Sequence, residues 1–417
     1  MRRLKRYICL VGLLALLAAA LTGCGFSDDS VEELFTLPRM AEEYTGLTQE
    51  LETLITQGYE YASPTGGRNI QSVQMADLDG DGQQEALAFF RMSSDEKPLK
   101  IFVFKIEGDS YARYCTIESS GTAIDSVYYQ DLNGDGRREL IVGWRISAEV
   151  QTVAVYTVAR EPVALMSSGY TRFTIQDLNG DGIPSLLVLR TDADSQPVAE
   201  FYGWQDEQMG VAYRCVLSST MASVNRGSLV SGRLDADTPA LYITGVDEQG
   251  MAATDILVFR QDLGLVNLAL SGSSTGVSNA VFPYRQLLPQ DINGDGIIEL
   301  PSPDTSWTAE QTDGLVSWLC CNGDGQLSTV AKTYHSLSCG WYFTIPESWW
   351  DWSVETATTS ISNENQFSLA INGDPVLSLY TITGENRENR GRMGKRVLLR
   401  RQTATIYAGE LNDAVPK

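Results

Sequence analysis

The sequence predicts a mainly β protein: a five-bladed β-propeller of four-stranded blades, with a short helix before it and a β-rich C-terminal domain after it. Three observations lead there. An acidic nine-residue motif recurs, starting at positions 77, 131, 177, 233 and 291, so its spacings are 54, 46, 56 and 58 residues. Short apolar segments follow each copy in the same order. Several of these, such as Ile101-Phe-Val-Phe104, are apolar at every position, as strands covered on both faces must be. Repeats of this length indicate propellers or solenoids, and four strands per unit favours the propeller.

Within each unit the first strand after the motif is expected at Ala86–Phe90, Leu140–Trp144, Leu186–Leu189, Ala240–Thr244 and Ile297–Leu300. A second strand is expected at Leu99–Ile106, Val153–Val158, Val198–Trp204, Asp255–Phe259 and Leu315–Cys321. A third closes each unit, at Tyr111–Ile117, Val163–Met166, Val211–Leu217, Leu265–Leu270 and Leu327–Tyr334. The strand leading into the motif makes four. The propeller is thus assigned to residues 61–336 and the C-terminal domain to 337–417. Ahead of the blades, residues 42–57 read as a helix with Leu47, Leu51, Leu54 and Ile55 on one face.

The chain opens Met1-Arg2-Arg3-Leu4-Lys5-Arg6, runs apolar from Tyr7 to Leu21 and reaches Leu21-Thr22-Gly23-Cys24. A charged n-region, an apolar core and small residues at the cleavage point make residues 1–23 an export signal. Leu-Thr-Gly-Cys resembles the bacterial lipobox, which implies diacylation of Cys24 and a mature chain tethered to a membrane, facing outside the cytoplasm. Residues 24–60 then hold the tether and the helix.

Net charge is −22, and residues 1–23 hold four basic residues and no acid, which leaves the mature chain at −26. That acidity argues against nucleic-acid partners and against direct adhesion to anionic lipid, and for bound cations. Of seven cysteines, Cys9 leaves with the signal and Cys24 takes lipid; Cys115 and Cys215 read as core packing, while Cys320, Cys321 and Cys339 leave room for one disulfide.

The motif reads Asp77-Leu-Asp79-Gly-Asp81-Gly-Gln-Gln-Glu85, Asp131-Leu-Asn133-Gly-Asp135-Gly-Arg-Arg-Glu139, Asp177-Leu-Asn179-Gly-Asp181-Gly-Ile-Pro-Ser185 and Asp291-Ile-Asn293-Gly-Asp295-Gly-Ile-Ile-Glu299. Acidic or amide side chains at positions one, three and five, glycine at six and glutamate at nine form a calcium arrangement. Alternating short oxygen donors converge as a loop curls, and calcium takes six to eight hard oxygens. The pattern resembles the calcium loops of FG-GAP and VCBS repeats, known from integrin α-subunit propellers and secreted bacterial proteins, over roughly residues 70–336.

By that resemblance the ligands are Asp77, Asp79, Asp81 and Glu85; Asp131, Asn133, Asp135 and Glu139; and Asp291, Asn293, Asp295 and Glu299, with carbonyls from Gln83, Arg137 and Ile297. The third copy keeps Asp177, Asn179 and Asp181 but has Ser185 at position nine, after Pro184, which implies a weak or empty site. The fourth, Arg233-Leu-Asp235-Ala-Asp237, is assigned no metal, and Asn322-Gly-Asp324-Gly325 reads as a plain hairpin.

No nucleophile elbow, zinc helix or phosphate loop occurs in the sequence, and the single histidine, His335, reads as a hairpin residue. The expectation is a calcium-stabilised binding protein with a protein or envelope-polymer ligand. The alternative is a carbohydrate-active propeller enzyme with carboxylates of several blades in the central channel. Trp349-Trp350-Asp351-Trp352 reads as core or domain-interface packing, and the basic run Arg387–Arg401 as either a solvated face or an anion-binding one. The segment Tyr342–Trp349 resembles the start of PsbP-like domains faintly and brings no site residue with it.

Overall fold

A computed structural model describes residues 44–108, 110–270, 281–282, 287–303, 313–350 and 354–412, without the side chains of 281, 282 and 354. The predicted signal, Cys24 and the tether lie outside the described residues.

Antiparallel meanders follow one another along the chain. Sheet I joins Glu60–Tyr61 and Val73–Ala76, which share the innermost position, to Glu85–Arg91, Leu99–Glu107 and Ser110–Ser119. Sheet II runs Ala123–Gln130, Glu139–Arg145, Gln151–Tyr156 and Ala164–Gly169. Sheet III runs Arg172–Gln176, Ser185–Thr191, Pro197–Gln205 and Gln208–Val216. Sheet IV runs Leu229–Arg233, Pro239–Val246, Ala252–Arg260 and Gly264–Asn267.

Sheet V departs from the expected pattern. Its strands are Leu300–Pro303, Asp313–Cys321, Leu327–Ser336 and Trp341–Ile345. The strand before its motif is reduced to a single bridge, Gln290 to Glu299. Trp341–Ile345, expected in the C-terminal domain, instead pairs with Leu327–Ser336. Sheet VI is five-stranded: Val354–Ile361, Glu364–Ile371, Asp374–Thr383 and Thr405–Leu411, with Val397–Arg401 at its edge.

Alternation within the central strands explains how the sheets stack. In Glu85–Arg91, Leu87 and Phe89 point to sheet II, where they meet Val127, Leu140 and Val142. The intervening Ala86, Ala88 and Phe90 point the other way and pack under Leu47, Leu51 and Leu54 of the helix Thr45–Thr56. Sheets II and III share Ile141, Val155, Leu186 and Val188; sheets III and IV share Leu187, Leu189, Leu241 and Ile243; sheets IV and V share Tyr242, Ile256 and Leu300. Each such side chain, fully buried, contributes about 1.5–3 kcal/mol. This face-to-face stacking of radial four-stranded sheets is a β-propeller. Ile55, expected on the helix's apolar face, is instead largely exposed at 47%.

The stack curls around a centre. The loop after Glu60–Tyr61 reaches sheet II, with Thr65 N–H donating to the Ile124 carbonyl at 2.9 Å and Asn69 Nδ2 to Val127 at 3.1 Å. Asp125 of sheet II accepts from Arg145 at 3.0 Å, from Tyr170 beside sheet III at 3.2 Å and from Arg226 ahead of sheet IV at 3.2 Å. Among the described residues, no core cluster joins sheet I to sheet V. The far side of sheet V is closed by sheet VI, where Tyr334, Ile345 and Trp349 pack on Phe367 and Leu369. Trp349 is therefore buried in that contact, and Trp350 donates its indole N–H to the Ile345 carbonyl at 3.1 Å; Trp352 lies outside the described residues.

Two expectations are corrected here. Cys115, Cys215, Cys320, Cys321 and Cys339 are all free, so the expected room for a disulfide is not used. His335 sits within a strand rather than a hairpin, 4% exposed, with ring centroids of Trp318 and Tyr342 at 5.7 and 5.2 Å and no hydrogen-bond partner for Nε2.

That setting generates a pH prediction. Burial pushes the His335 imidazole down from its ordinary value to about 4. The unfolded chain takes up this proton near pH 6.5 and the folded chain only near 4, so stability present above pH 6.5 is lost as pH falls towards 4. Chemical denaturation at pH 7 and 4.5 should show wild type losing about 2–3 kcal/mol more than His335→Phe. Equal losses in the two proteins would remove the histidine from the acid response.

Candidate metal loops

Each motif occupies the turn between the innermost strand of its sheet and the next, so all open at the same end of the stack. The first aspartate builds the turn. Asp131 accepts from Gly134 N–H at 2.6 Å through one oxygen and from Gly136 N–H at 2.8 Å through the other. Asp77, Asp177 and Asp291 repeat this with Gly80 and Gly82, Gly180 and Gly182, and Gly294 and Gly296. The second glycine of each pair has φ between +85° and +87°, a conformation that costs a side-chain-bearing residue energy. Position five accepts from position seven: Asp81 from Gln83, Asp135 from Arg137, Asp181 from Ile183 and Asp295 from Ile297, at 2.7–2.8 Å. The amide of Asn133, Asn179 or Asn293 donates to the position-five carboxylate.

The position-nine glutamate lies beneath the loop. One oxygen of Glu85, Glu139 and Glu299 accepts from the backbone N–H of Leu78, Leu132 and Ile292, at 2.7, 2.8 and 3.0 Å. All three are at least 96% buried, and burial raises their carboxyls above the ordinary range, Glu139 to about 7. Neighbouring aspartates of the same loop push in the same direction. Ser185 offers no such group. The loops of sheets I, II and V therefore hold a buried carboxyl that desolvation and the aspartates above it drive towards its neutral form, and a cation among these hard oxygen donors, of the kind calcium takes, would hold it ionised.

Sequence reasoning missed Lys105. Its ammonium hydrogen-bonds Asp79 and stands 3.7 Å from Glu85, and the side chain is only 17% exposed. The Lys105 hydrogen bond holds the Asp79 carboxyl below its usual range. Asp77, Asp79 and Glu85 bring oxygens within 4.8 Å of one another; among the described residues no other three acidic or metal-ligating side chains come so close. Register offered the signal. Lys105 stands across from Glu85, one step beyond the pair Ala86–Phe104, and the corresponding positions in sheets II, III and V are Thr157, Gly203 and Cys320.

Adjacent loops also bond to one another. Arg138 N–H, at position eight of the second loop, donates to the Leu78 carbonyl at position two of the first, 2.7 Å away. The matching donor in the third loop is Pro184, which has no N–H. The indole of Trp204 replaces it, donating to the Leu132 carbonyl at 2.7 Å. The fourth copy, with Asp235 accepting from Asp237 and Thr238, is an ordinary turn, as is Asn322–Gln326. At the centre of the stack, where a hydrolase would need carboxylates from several sheets, Asp125 is bound by two guanidinium groups.

No protein-family model matches the chain, and no curated protein matches it. Among solved structures it is similar to a hypothetical protein from Leishmania major, at 11% identity over 70% of this chain and 91% of that one, with a TM-score of 0.25. It is similar to the β-propeller domain of the Trilobed protease from Pyrococcus furiosus, at 9% identity over 82% and 90%, TM-score 0.27. It is also similar to AofleA from Arthrobotrys oligospora, at 10% identity over 78% and 90%, TM-score 0.25. Likeness at these scores carries no argument about site or function, and the fold stands on strand pairing and packing alone.

Proposed function

We propose that this chain is an exported, lipid-anchored binding protein of a bacterial cell envelope, a five-bladed FG-GAP/VCBS-like propeller in which calcium stiffens one rim. The observation that carries the calcium reading is the buried glutamate at position nine, repeated under three loops and surrounded by further carboxylates. A divalent cation would offset that desolvated charge and cross-link the loop to the strand beneath it. Asp131, Asn133, Asp135 and Glu139 would hold it in sheet II, and Asp291, Asn293, Asp295 and Glu299 in sheet V, with the Arg137 and Ile297 carbonyls completing each set. In sheet I, calcium competes with Lys105 for Asp77, Asp79, Asp81, Glu85 and the Gln83 carbonyl. In sheet III, Asp177, Asn179 and Asp181 bind weakly, for want of the ninth acid.

The anchor is read from Leu21–Cys24 and places the propeller on the outer side of a membrane. The ligand is a protein or an envelope polymer. Binding suits the scaffold, because loops held rigidly at one end of stacked sheets present a fixed surface.

Thermal unfolding with calcium and with chelator tests the metal. At millimolar calcium, sites of about 10⁻⁴–10⁻³ M affinity add roughly 0.4–1.4 kcal/mol each. Asp135→Ala should lose its share of that gain, and Asp181→Ala should lose less. Lys105→Met should be less stable than wild type in chelator and recover in calcium, as an external ion replaces the internal one. A wild type that is metal-free on direct analysis and indifferent to added calcium ends this reading.

The anchor has its own test. Cys24→Ser should abolish incorporation of a fatty-acid probe in a bacterial host, whereas undiminished labelling would refute acylation at that residue.

A further inference from the structure

Sheet VI presents a surface unlike the rest of the chain. Between Arg387 and Arg401 stand seven basic residues and one acid, in a protein of net charge −22. The same region exposes large apolar side chains: Met393 and Leu399 are each 59% exposed, Val397 and Leu411 63%. The edge strand Val397–Arg401 arranges them. Its register slips between Leu398 and Arg400, so Val397 pairs with Gly409 and Arg400 with Tyr407. Paired residues share a face, and Gly409 and Tyr407 lie two apart on one strand, so Val397 and Arg400 stand on the same side of the sheet. Leu399, at the slip, lies against Gly409 on that side as well. Leu398 and Arg401 stand on the other side, Leu398 against Ile406 and Ala408, where Gly391 of the preceding loop also packs.

Beside this strip a cleft of about 230 Å³ opens, lined by Trp341, Phe343, Leu379, Leu399, Arg400 and Tyr407. Several basic residues of the run are engaged: Arg396 with Glu364 at 2.7 Å and Arg401 with Glu388 at 3.2 Å. Arg392 and Arg400 are exposed and make no ion pair among the described residues.

We infer that this edge of sheet VI docks on an anionic lipid surface, with Val397, Leu399 and Leu411 entering the interfacial layer from one side of the edge strand, while Arg400 beside them and Arg392, on the loop over the other side, meet the headgroups. Charge complementarity selects the side, because the remainder of the chain is acidic and repelled by anionic lipid. The apolar strip selects lipid over a hydrated polyanion, since exposed Val and Leu gain only where an apolar phase receives them. A basic and apolar surface of this kind binds reversibly and loses affinity with salt. The inference deepens the envelope reading and rests on its membrane, though not on calcium or on Cys24.

The test uses the chain from residue 25 onward, which retains every described strand and the covering helix but no acylation site. Co-sedimentation is measured with vesicles of phosphatidylcholine alone, and with about one-third phosphatidylglycerol added. The expected result is at least tenfold stronger partitioning onto the anionic vesicles at low salt, falling as salt is raised. Val397→Asp with Leu399→Asp, and separately Arg392→Glu with Arg400→Glu, should each reduce it about tenfold. Leu263→Asp, at a 63% exposed leucine far from this face in sequence, should leave it unchanged. All these positions are exposed, and an unchanged melting temperature verifies folding. Equal binding to both vesicle types, or full binding by either double variant, overturns the inference. Equally tight binding to soluble poly(glycerol phosphate) also overturns it, in favour of a wall-type polymer. Failure of the fatty-acid labelling of Cys24 would leave this result standing, so the two readings fail separately.

Discussion

Everything in this structure follows from strands that must be covered on both faces. Ala86 through Phe90 are fully buried although they belong to a single strand, so half of their side chains need a partner on each side of the sheet. A lone sheet cannot supply that, and a pair of sheets leaves two faces bare. Successive units solve it by stacking, each lending one face to its predecessor and one to its successor. The ends of the row need separate solutions: a twelve-residue helix over sheet I and the C-terminal sheet against sheet V.

The loops are a second layer of order resting on the first. Once the sheets are stacked, their turns lie side by side, and the hydrogen bond from position eight of one loop to position two of the preceding loop becomes possible. Trp204 shows how tightly that acceptor is held. Where proline removes the usual donor, a tryptophan from the third strand of the same sheet supplies one. The buried glutamates work along the other axis, pinning each turn to its own strand. Removing a partner from such a group leaves a desolvated charge, which costs more than the bond itself contributes. Lys105 meets that demand from within the chain in sheet I, so the four copies of one motif present different electrostatic problems.

Much of this was legible in the sequence, because repetition is a strong signal. The motif spacing gives the units, and the continuous apolar runs give the central strands of the first four units to within three residues, whereas Ile297–Leu300 of the fifth meets the observed strand only at Leu300. The fifth unit was harder to read. Its leading strand is reduced to one bridge at Gln290, and its outer strand Trp341–Ile345 lies beyond the point where the repeat fades. Ile55 follows the helical period yet faces solvent, since periodicity says which residues share a face and nothing about how much of that face is covered. Lys105 was invisible to motif reading for a different reason: it is near the loop only through cross-strand register, a relation that linear spacing does not encode. His335, alone in its type, offered no pattern at all.

The helix over sheet I has a mechanical consequence. Any pull delivered through the N-terminal segment reaches the fold at Thr45–Thr56 before it reaches a strand. That helix is held by three leucines and their neighbours rather than by a ladder of backbone hydrogen bonds, so it can part from sheet I without breaking any strand pairing. Its detachment would uncover the Ala86 and Ala88 side of sheet I, with Tyr59 and Tyr61 still against Phe90 and Phe102, while leaving the core clusters that join sheets II to V intact. A load entering there is borne by side-chain packing before it is borne by strand pairing.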